Sequence, residues 1–256
     1  MNLINLNKNI LDKIYKEYHN NLLLDPVWVV RKLKNKEDIV TFAFVAALFS
    51  YGNIKNIIKF LESLLKDFNY QPYFSIKGNI LLNKKYRFQS QEDINTLIAW
   101  LSYIIKKYSN LENYYFYQYK KCAYLEDLVD SIYKDYLHYL EENNIKLSHG
   151  LKFLLNTPLN NSTNKRMMLF LRWMARKDDI DFGIFDFIKP CELVYPMDVH
   201  LINIAKHFNI LKFNTPTWKV AKEFTKAIAK FDKDDPLKYD YSLCHWDIKN
   251  REFNNG

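Results

Sequence analysis

Two short stretches of the sequence place charged side chains where a helix is predicted to begin. The polar segment NTPLNNSTN, residues 156–164, leads directly into Lys165 and Arg166, which open the apolar-periodic stretch KRMMLFLRWMAR. Free N–H groups at a helix N-terminus can bind a phosphate, and two basic side chains add positive charge there. Ser162 and Asn164 are the nearest polar candidates for capping this helix or contacting the phosphate.

The second stretch is Met197-Asp198-Val199-His200, which follows Pro196. A carboxylate in the first turn of a helix is stabilised by the helix dipole, so Asp198 is expected to stay ionised. His200 is expected to contact a phosphate or to hold the local turn. Asp198 lies 33 residues after Lys165, and both residues also suit an ordinary role, as a helix cap and a solvated surface lysine.

Helices are predicted along the whole chain, and no stretch alternates in the manner of a strand. The predicted helices include the segments 9–18, 37–51, 91–107, 111–120, 124–142, 165–176 and 196–208. The apolar run in 37–51 predicts a buried central helix, and 71–88 reads as a connector. Pro196, Pro216 and Pro236 are each predicted to open a helix. We therefore expect an all-α fold, a compact helical array within a single domain over residues 1–256, with possible lobes at about 30–145 and at 1–29 plus 146–256.

The composition restricts the class of partner and compartment. The net charge of +8 and the pI near 9.1 favour a polyanion, although abundant lysine also follows from a gene rich in A and T. Five glycines argue against a glycine-loop nucleotide site, and three scattered cysteines against a disulfide framework, a structural zinc or an iron–sulfur centre. We expect no metal and no cofactor. The N-terminus lacks the features of a signal peptide, and the apolar run 39–49 is too short to cross a membrane, so we expect no membrane association and a cytoplasmic location.

Longer blocks of the sequence carry a resemblance to a known family. KRMMLFLRWMARKDDIDFGIF, MDVHLINIAKHFNI and DPLKYDYSL, together with DIVTFAFVAALFSYGN and the YRF at 86–88, resemble a bacterial family of helical proteins. That family looks like a distant branch of the helix-hairpin-helix DNA glycosylases. PMDVHLINIAKHFN is similar to the Asp-Thr-His segment of endonuclease III relatives. Here the hairpin glycines and the iron–sulfur cysteines of that superfamily are absent, and Val199 stands where its threonine is usual.

The resemblance implies a fold element and a catalytic pair. It implies a helix-hairpin-helix-like DNA-binding element before Lys165, with Lys165 as the nucleophile that attacks C1′ of a damaged nucleotide and Asp198 as the carboxylate that assists it. The long spacing between them is closest to that of the archaeal 8-oxoguanine DNA glycosylases. An attacking amine must be partly unprotonated, and we expect burial or the neighbouring Arg166 to lower the lysine pKa.

Other residues receive roles through the same resemblance. Arg166, His200, Ser162 and Asn164 would contact DNA, and the loop residues Ser50, Tyr51 and Asn53 would fill the space left by a flipped nucleotide. The base pocket would contain Leu169, one turn beyond Lys165, and the last aromatic helix would contribute Tyr239, Asp240 and Trp246. Each of these last three also suits a place in the core.

The favoured function is a DNA glycosylase and AP lyase for base excision repair. The enzyme would remove a damaged base, an oxidised purine of the 8-oxoguanine kind, from double-stranded DNA, acting as a monomer at the nucleoid. The first alternative is a non-catalytic helical protein that binds DNA or RNA. The second is a helical scaffold with no nucleic-acid role, whose charge reflects codon bias.

Overall fold

The structure is a computed structural model that describes residues 6–19, 25–211 and 215–254. The described residues form helices and no strand, with isolated bridges only at Tyr86–Gln89 and Lys177–Phe182. The all-α prediction is confirmed. The α-helices found there are α1 (Lys8–Tyr18), α2 (Val27–Val30), α3 (Lys36–Leu48), α4 (Ile54–Asp67), α5 (Pro72–Lys77), α6 (Gln91–Tyr108), α7 (Leu111–Tyr119), α8 (Leu125–Glu142), α9 (His149–Leu154), α10 (Lys165–Ala175), α11 (Val199–His207), α12 (Trp218–Ile228) and α13 (Asp240–Asn254). Short 3₁₀ helices lie at Pro158–Asn160, Pro190–Glu192 and Pro236–Tyr239.

Helix α3 forms the centre of the core, as its apolar sequence predicts. Its residues from Val40 to Leu48 are all buried. The ring of Phe44 lies 6.0 Å from Trp100 of α6 and 5.2 Å from Phe170 of α10, measured between centroids. A helix that is apolar on every face has to be covered on every face. The helix that begins with Lys165 therefore packs directly on the most buried helix of the protein.

The two ends of the described chain meet. Helix α1 packs against α13, and the Tyr239 hydroxyl donates a hydrogen bond of 2.8 Å to Asp12 Oδ1. Helix α13 also packs against α11, which follows Asp198. The expected proximity of the N-terminal helix to the C-terminal half is confirmed. The division into two lobes and the helix-hairpin-helix element stay predictions.

Several predicted helix starts are wrong, and the reason is a competing cap. Helix α11 begins at Val199, because Asp198 takes an extended backbone and accepts hydrogen bonds from the helix N–H groups. Helix α12 begins at Trp218 with Thr217 as its cap. Pro196 and Pro216 therefore lie before these caps. Of the three prolines predicted to open these late helices, only Pro236 does so, and the turn that it opens is 3₁₀. A side-chain acceptor satisfies an orphan N–H group, which proline at the first position cannot do. The predicted connector 71–88 contains the short helix α5.

Candidate active site

The segment before α10 is a tight, internally bonded loop. Thr157 caps the 3₁₀ helix Pro158–Asn160 and donates 2.6 Å to Asp130 of α8. Asn161 and Asn164 adopt left-handed backbone angles, with φ of 56° and 48°. Asparagine tolerates this conformation better than most residues, so the sequence turns twice here without glycine. The second turn ends at Lys165, the first residue of α10.

The two carboxylate oxygens of Asp198 contact two different groups. Oδ1 accepts hydrogen bonds from the backbone N–H groups of His200, at 2.9 Å, and Leu201, at 3.1 Å. Oδ2 lies 2.7 Å from the Lys165 ammonium. The cap fixes the rotamer of the carboxylate, and the fixed rotamer aims the second oxygen at the lysine. The structure thus brings the two predicted catalytic residues together.

This ion pair is partly accessible. The Lys165 side chain is 37% exposed and that of Asp198 is 14% exposed. A pocket of about 110 Å³ opens beside the lysine, lined by the polar turn and the ends of neighbouring helices: Leu48, Leu154, Leu155, Asn156, Ser162, Thr163, Asn164, Lys165, Arg166 and Met167. This volume is below the roughly 300–1,000 Å³ of typical ligand clefts. The pocket admits a small group such as a phosphate, and an extruded base would need the cleft to widen.

Each member of the Lys165–Asp198 pair stabilises the charged form of the other. Burial by itself lowers the pKa of Lys165, but the charge and hydrogen bond of Asp198 outweigh burial, and the net pKa is raised. Burial likewise raises the pKa of Asp198, and Lys165 reverses this, so that the net pKa is lowered. The expectation of a lowered lysine pKa is wrong, because the Asp198 carboxylate lies 2.7 Å from the ammonium and its effect outweighs that of burial. Both groups are charged at neutral pH.

A buried charge network lies behind the pair. Arg172 follows Lys165 by two helical turns, and its side chain is 4% exposed. It lies 2.5 Å from Asp240 Oδ2 and 3.3 Å from Asp181. Asp181 also bonds Arg176, which in turn contacts Asp235 at 2.7 Å. The network joins α10 to the loop after it and to the start of α13.

Two residues assigned to the base pocket belong to the interior. Asp240 is 1% exposed and is held by Arg172, so its oxygens are not open to a base. Tyr239 is fully buried, with its hydroxyl on Asp12. Base contact by these two residues is corrected to a structural role, because the 3₁₀ turn at Pro236 directs both side chains inward. Asp240 still adds to the negative potential that raises the pKa of Lys165.

The other two pocket candidates are partly buried. Leu169 lies one turn after Lys165 on α10, packs against the core and does not line the pocket beside Lys165. Trp246 packs against Phe208 and His207 at the end of α11, with ring centroids 5.3 and 5.0 Å away. Base contact by these two residues stays a prediction.

Arg166 turns away from solvent. Its guanidinium donates to the backbone carbonyl of Leu48, at 3.2 Å, and to that of Phe153, and it lies 4.4 Å from the centre of the Phe153 ring. Burial lowers its pKa to about 10. The predicted DNA contact by Arg166 is corrected to a clamp that joins the ends of α3 and α9 to α10. A carbonyl at a helix C-terminus lacks an intrahelical donor, and the arginine supplies it.

The loop after α3 is also more embedded than expected. Ser50 is 5% exposed and donates to the Ala46 carbonyl at 2.7 Å. Tyr51 is half-buried and bonds Gln89, while Asn53 is exposed and caps α4. Burial is the main reason that the pKa of Tyr51 is raised to about 12. A wedge role for Ser50 is corrected, since its hydroxyl already has a partner in the interior.

Three further DNA-contact candidates lie near the pair. Ser162 and Asn164 line the pocket beside Lys165, where the Asn164 amide donates 3.0 Å to the Ser162 carbonyl. His200 Nδ1 lies 2.8 Å from Asp247 Oδ2, and its side chain is 30% exposed. Ser162 and His200 are partly exposed and can contact a bound anion, whereas Asn164 is 8% exposed and its amide is already bonded.

Sequence reasoning missed the arginines of the buried network and Cys244. Arg172 and Arg176 recur at i and i+4 beside the acidic run Asp178-Asp179-Ile180-Asp181, a spacing that indicates ion pairs. Cys244 lies one turn after Asp240, 3.9 Å from its carboxylate, and burial raises its thiol pKa well above the usual value. No signal in the sequence indicated that this cysteine lies near enough to Asp198 and Lys165 for their charges to act on its thiol.

The described residues lack both a metal-binding cluster and a membrane-spanning helix. They contain no group of three His, Cys, Asp or Glu side chains placed to hold a metal ion. Within residues 6–19, 25–211 and 215–254, no helix has the length and apolar character needed to span a bilayer.

Comparison with known proteins identifies the family of the chain. Residues 25–249 match the model of the family described as "Protein of unknown function (DUF2400)". The chain belongs to this family. None of the curated proteins and none of the solved structures compared with it matches. The matched range contains Lys165, Asp198 and the buried network.

Proposed function

We propose that this protein of the DUF2400 family is a DNA glycosylase with AP-lyase activity. The observation that carries the proposal is the 2.7 Å contact between Lys165 Nζ and Asp198 Oδ2 at a solvent-accessible position. An amine and a carboxylate at this distance can exchange a proton, which is what nucleophilic catalysis by lysine requires. The proposed substrate is double-stranded DNA with an oxidised purine, and the proposed active form is a monomer in the cytoplasm, at the nucleoid.

Substrate binding has to generate a neutral amine. At pH 7 a lysine with an ordinary pKa of 10.5 is neutral in only about one molecule in 3,000, and the pairing with Asp198 reduces that fraction. Transfer of a proton from Lys165 to Asp198 yields a neutral amine and a neutral carboxyl group. Exclusion of water by a bound nucleotide favours this transfer, because desolvation penalises the charged forms of both groups.

The chemistry then balances within the site. The Nζ–C1′ bond forms as the glycosidic bond breaks, and the bonding electrons leave with the base, which takes the proton held by Asp198. A proton passes from the nitrogen to O4′ as the C1′–O4′ bond opens, which leaves an iminium ion. Once the base has taken its proton, the Asp198 carboxylate stabilises the iminium ion. It then accepts the C2′ proton as the 3′ phosphate leaves by β-elimination, which cuts the strand, and water hydrolyses the iminium ion to release Lys165.

The N-terminus of α10 supports the proposal as a phosphate site. Ser162, Thr163 and Asn164 line a pocket at the positive end of the helix dipole, beside the Lys165 ammonium. The net charge of +8 favours a polyanion in general. The same two facts also favour the alternative of a non-catalytic DNA- or RNA-binding protein, in which Lys165 stays protonated and contacts phosphate.

Borohydride trapping separates these two functions. The parent protein is incubated with a duplex that contains one 8-oxoguanine, or one abasic site, and the adduct is measured on a denaturing gel. We expect a covalent adduct that Lys165→Gln reduces at least 100-fold and that Lys222→Gln leaves unchanged. Lys222 is a matched control because it also forms a lysine–carboxylate pair, 3.0 Å from Glu126. Asp198→Asn should slow base release by about 10²–10³-fold, the usual effect of removing one electrostatic stabiliser.

Other outcomes identify the alternatives. An adduct that persists in Lys165→Gln removes this lysine from the reaction. Duplex binding with a steep salt dependence but no adduct supports the non-catalytic reading. Absence of duplex binding at low salt contradicts both readings and leaves a helical scaffold.

A further inference from the structure

Tyrosines and lysines alternate along one surface that crosses three helices. Tyr139 of α8 lies 5.4 Å from Tyr103 of α6, measured between ring centroids. The Lys107 ammonium lies 5.2 Å from the Tyr103 ring and 5.5 Å from the Tyr108 ring. Tyr108 lies 5.3 Å from Tyr117 of α7, whose ring is 3.6 Å from the Lys121 ammonium. We call the surface formed by these residues, from Tyr139 through to Lys121, the tyrosine–lysine strip.

The strip is open to solvent at its aromatic positions. Tyr103 is 37% exposed and Tyr117 is 47% exposed, although tyrosine rings in a core-forming helix normally turn inward. Beside Tyr103 and Tyr139 lies a groove of about 520 Å³, whose wall also contains Lys106, Ser102 and Asn79. The strip therefore combines two partly exposed tyrosine rings, each with a lysine ammonium over one face, with a groove beside Tyr103 and Tyr139.

The lysines of this surface are not neutralised by carboxylates. Over the described part of the chain, Lys106, Lys107, Lys120 and Lys121 form no ion pair, whereas Lys36 and Lys222 each contact a glutamate. Lys120 and Lys121 instead lie over the rings of Phe116 and Tyr117.

Two carboxylates near the strip form no ion pair with its lysines. Glu142, at the edge of the groove, contacts His138 at 3.2 Å, and Asp135 accepts from the Tyr114 hydroxyl at 2.8 Å. The pKa of Lys107 is raised, first by its hydrogen bond to the Tyr103 hydroxyl and in smaller part by the charge of Asp135. The lysines of the strip therefore keep a positive charge next to the rings, and Asp135 offsets only part of it.

We propose that the tyrosine–lysine strip binds single-stranded nucleic acid. Bases stack on Tyr103 and Tyr117, and the phosphates between them contact Lys107, Lys121 and their neighbours. An acidic peptide would satisfy the lysines but leave both ring faces in water, so the pairing of rings with charges favours bases. The strip shares no residue with the pocket beside Lys165, and the proposal does not depend on the lysine chemistry.

Fluorescence anisotropy with a labelled dT20 strand tests the stacking component. We expect the double variant Tyr103→Ala/Tyr117→Ala to weaken binding by about 100-fold, at about tenfold for each ring lost. The double variant Tyr103→Leu/Tyr117→Leu keeps a large apolar side chain at both positions and should bind dT20 as weakly as the alanine variant. The same loss in both variants would show that binding needs the aromatic rings and that misfolding is not the cause. Tyr70→Ala, at a position 50% exposed outside the strip, is the matched control and should bind as the parent does.

Salt dependence tests the charge component. Lys107→Gln/Lys121→Gln should reduce the slope of log K against log salt by about 0.7 for each lysine. Inorganic polyphosphate, which carries charge but no bases, should bind the tyrosine variant and the parent equally. Lys222→Gln, at a lysine paired with Glu126 outside the strip, should bind dT20 normally. Because dT20 carries neither a lesion nor an abasic site, this result stays distinct from any failure of the glycosylase proposal.

Three outcomes would overturn the assignment. One is dT20 binding by the tyrosine double variant within twofold of the parent. A second is an equal loss of affinity for a 20-base-pair duplex, which would show that the rings are not selective for unpaired bases. A third is the absence of dT20 binding by the parent at 50 mM salt.

Discussion

Replacing Asp240 by Asn should destabilise the protein more than any comparable change at an exposed ion pair. The substitution keeps the shape of the side chain and removes its charge beside Arg172, at a contact of 2.5 Å where the two side chains are 2% and 4% exposed. Breaking a buried pair by removing one partner costs about 3–5 kcal/mol. Asp181 remains 3.3 Å from the guanidinium and compensates in part, so we expect a loss of about 3 kcal/mol.

Urea denaturation followed by circular dichroism measures this loss directly. In a chain of this size about 3 kcal/mol corresponds to a decrease in Tm of about 6–12 °C. The control is Glu126→Gln, which removes a carboxylate from Lys222 where the side chains are 33% and 50% exposed, and it should cost under about 1 kcal/mol. If the two variants unfold within 1 kcal/mol of each other, the buried network does not anchor α13 to α10.

Three further outcomes follow from the same structure. In Asp198→Asn the side-chain amide still caps α11, but it carries no charge that raises the pKa of Lys165. Burial should then lower the pKa of Lys165, and side-chain NMR of labelled lysine should show this decrease. An unchanged pKa would contradict the electrostatic account. In the parent, the rate of adduct formation should stay nearly constant between pH 6 and 9, because the pKa of Lys165 is raised and that of Asp198 is lowered, and the proton moves within the pair without being lost to solvent; a tenfold rise for each pH unit would show that the amine must instead lose its proton to water. Gly150→Ala should reduce the free energy of unfolding by about 2 kcal/mol in urea denaturation, because the new Cβ would lie 2.1 Å from an oxygen of Asp93. In the control Gly78→Ala, the new Cβ meets no atom closer than 3.3 Å, and the free energy of unfolding should be nearly unchanged.

The helical class and the helix positions were predictable because they depend on local periodicity. The run from Val40 to Leu48 is apolar on every face, which allows only a buried helix. The starts of helices were less predictable where two signals competed. For α11, Pro196 and the cap residue Asp198 each predict a different first residue of the helix. The hydrogen bonds that the Asp198 side chain accepts from two backbone N–H groups decide for a start at Val199.

The candidate site was predictable only in its two central residues. Lys165 and Asp198 were paired through a resemblance, and their contact is now observed. Arg166 has the same charge and the same local sequence as its neighbour, yet it points to carbonyl groups of α3 and α9. The direction of a side chain on a helix depends on which face meets the core, and for Arg166 that face is set in part by α3, whose Leu48 is 118 residues away in the sequence. Asp240 illustrates the same point, since its partner Arg172 is 68 residues earlier.

The divided carboxylate of Asp198 has a consequence for the timing of the proposed reaction. One oxygen is held by the start of α11, so the orientation of the other is established during folding. The geometry of the Lys165–Asp198 pair is therefore a property of the helix start, and its persistence should follow the local stability of α11 rather than the occupancy of the pocket.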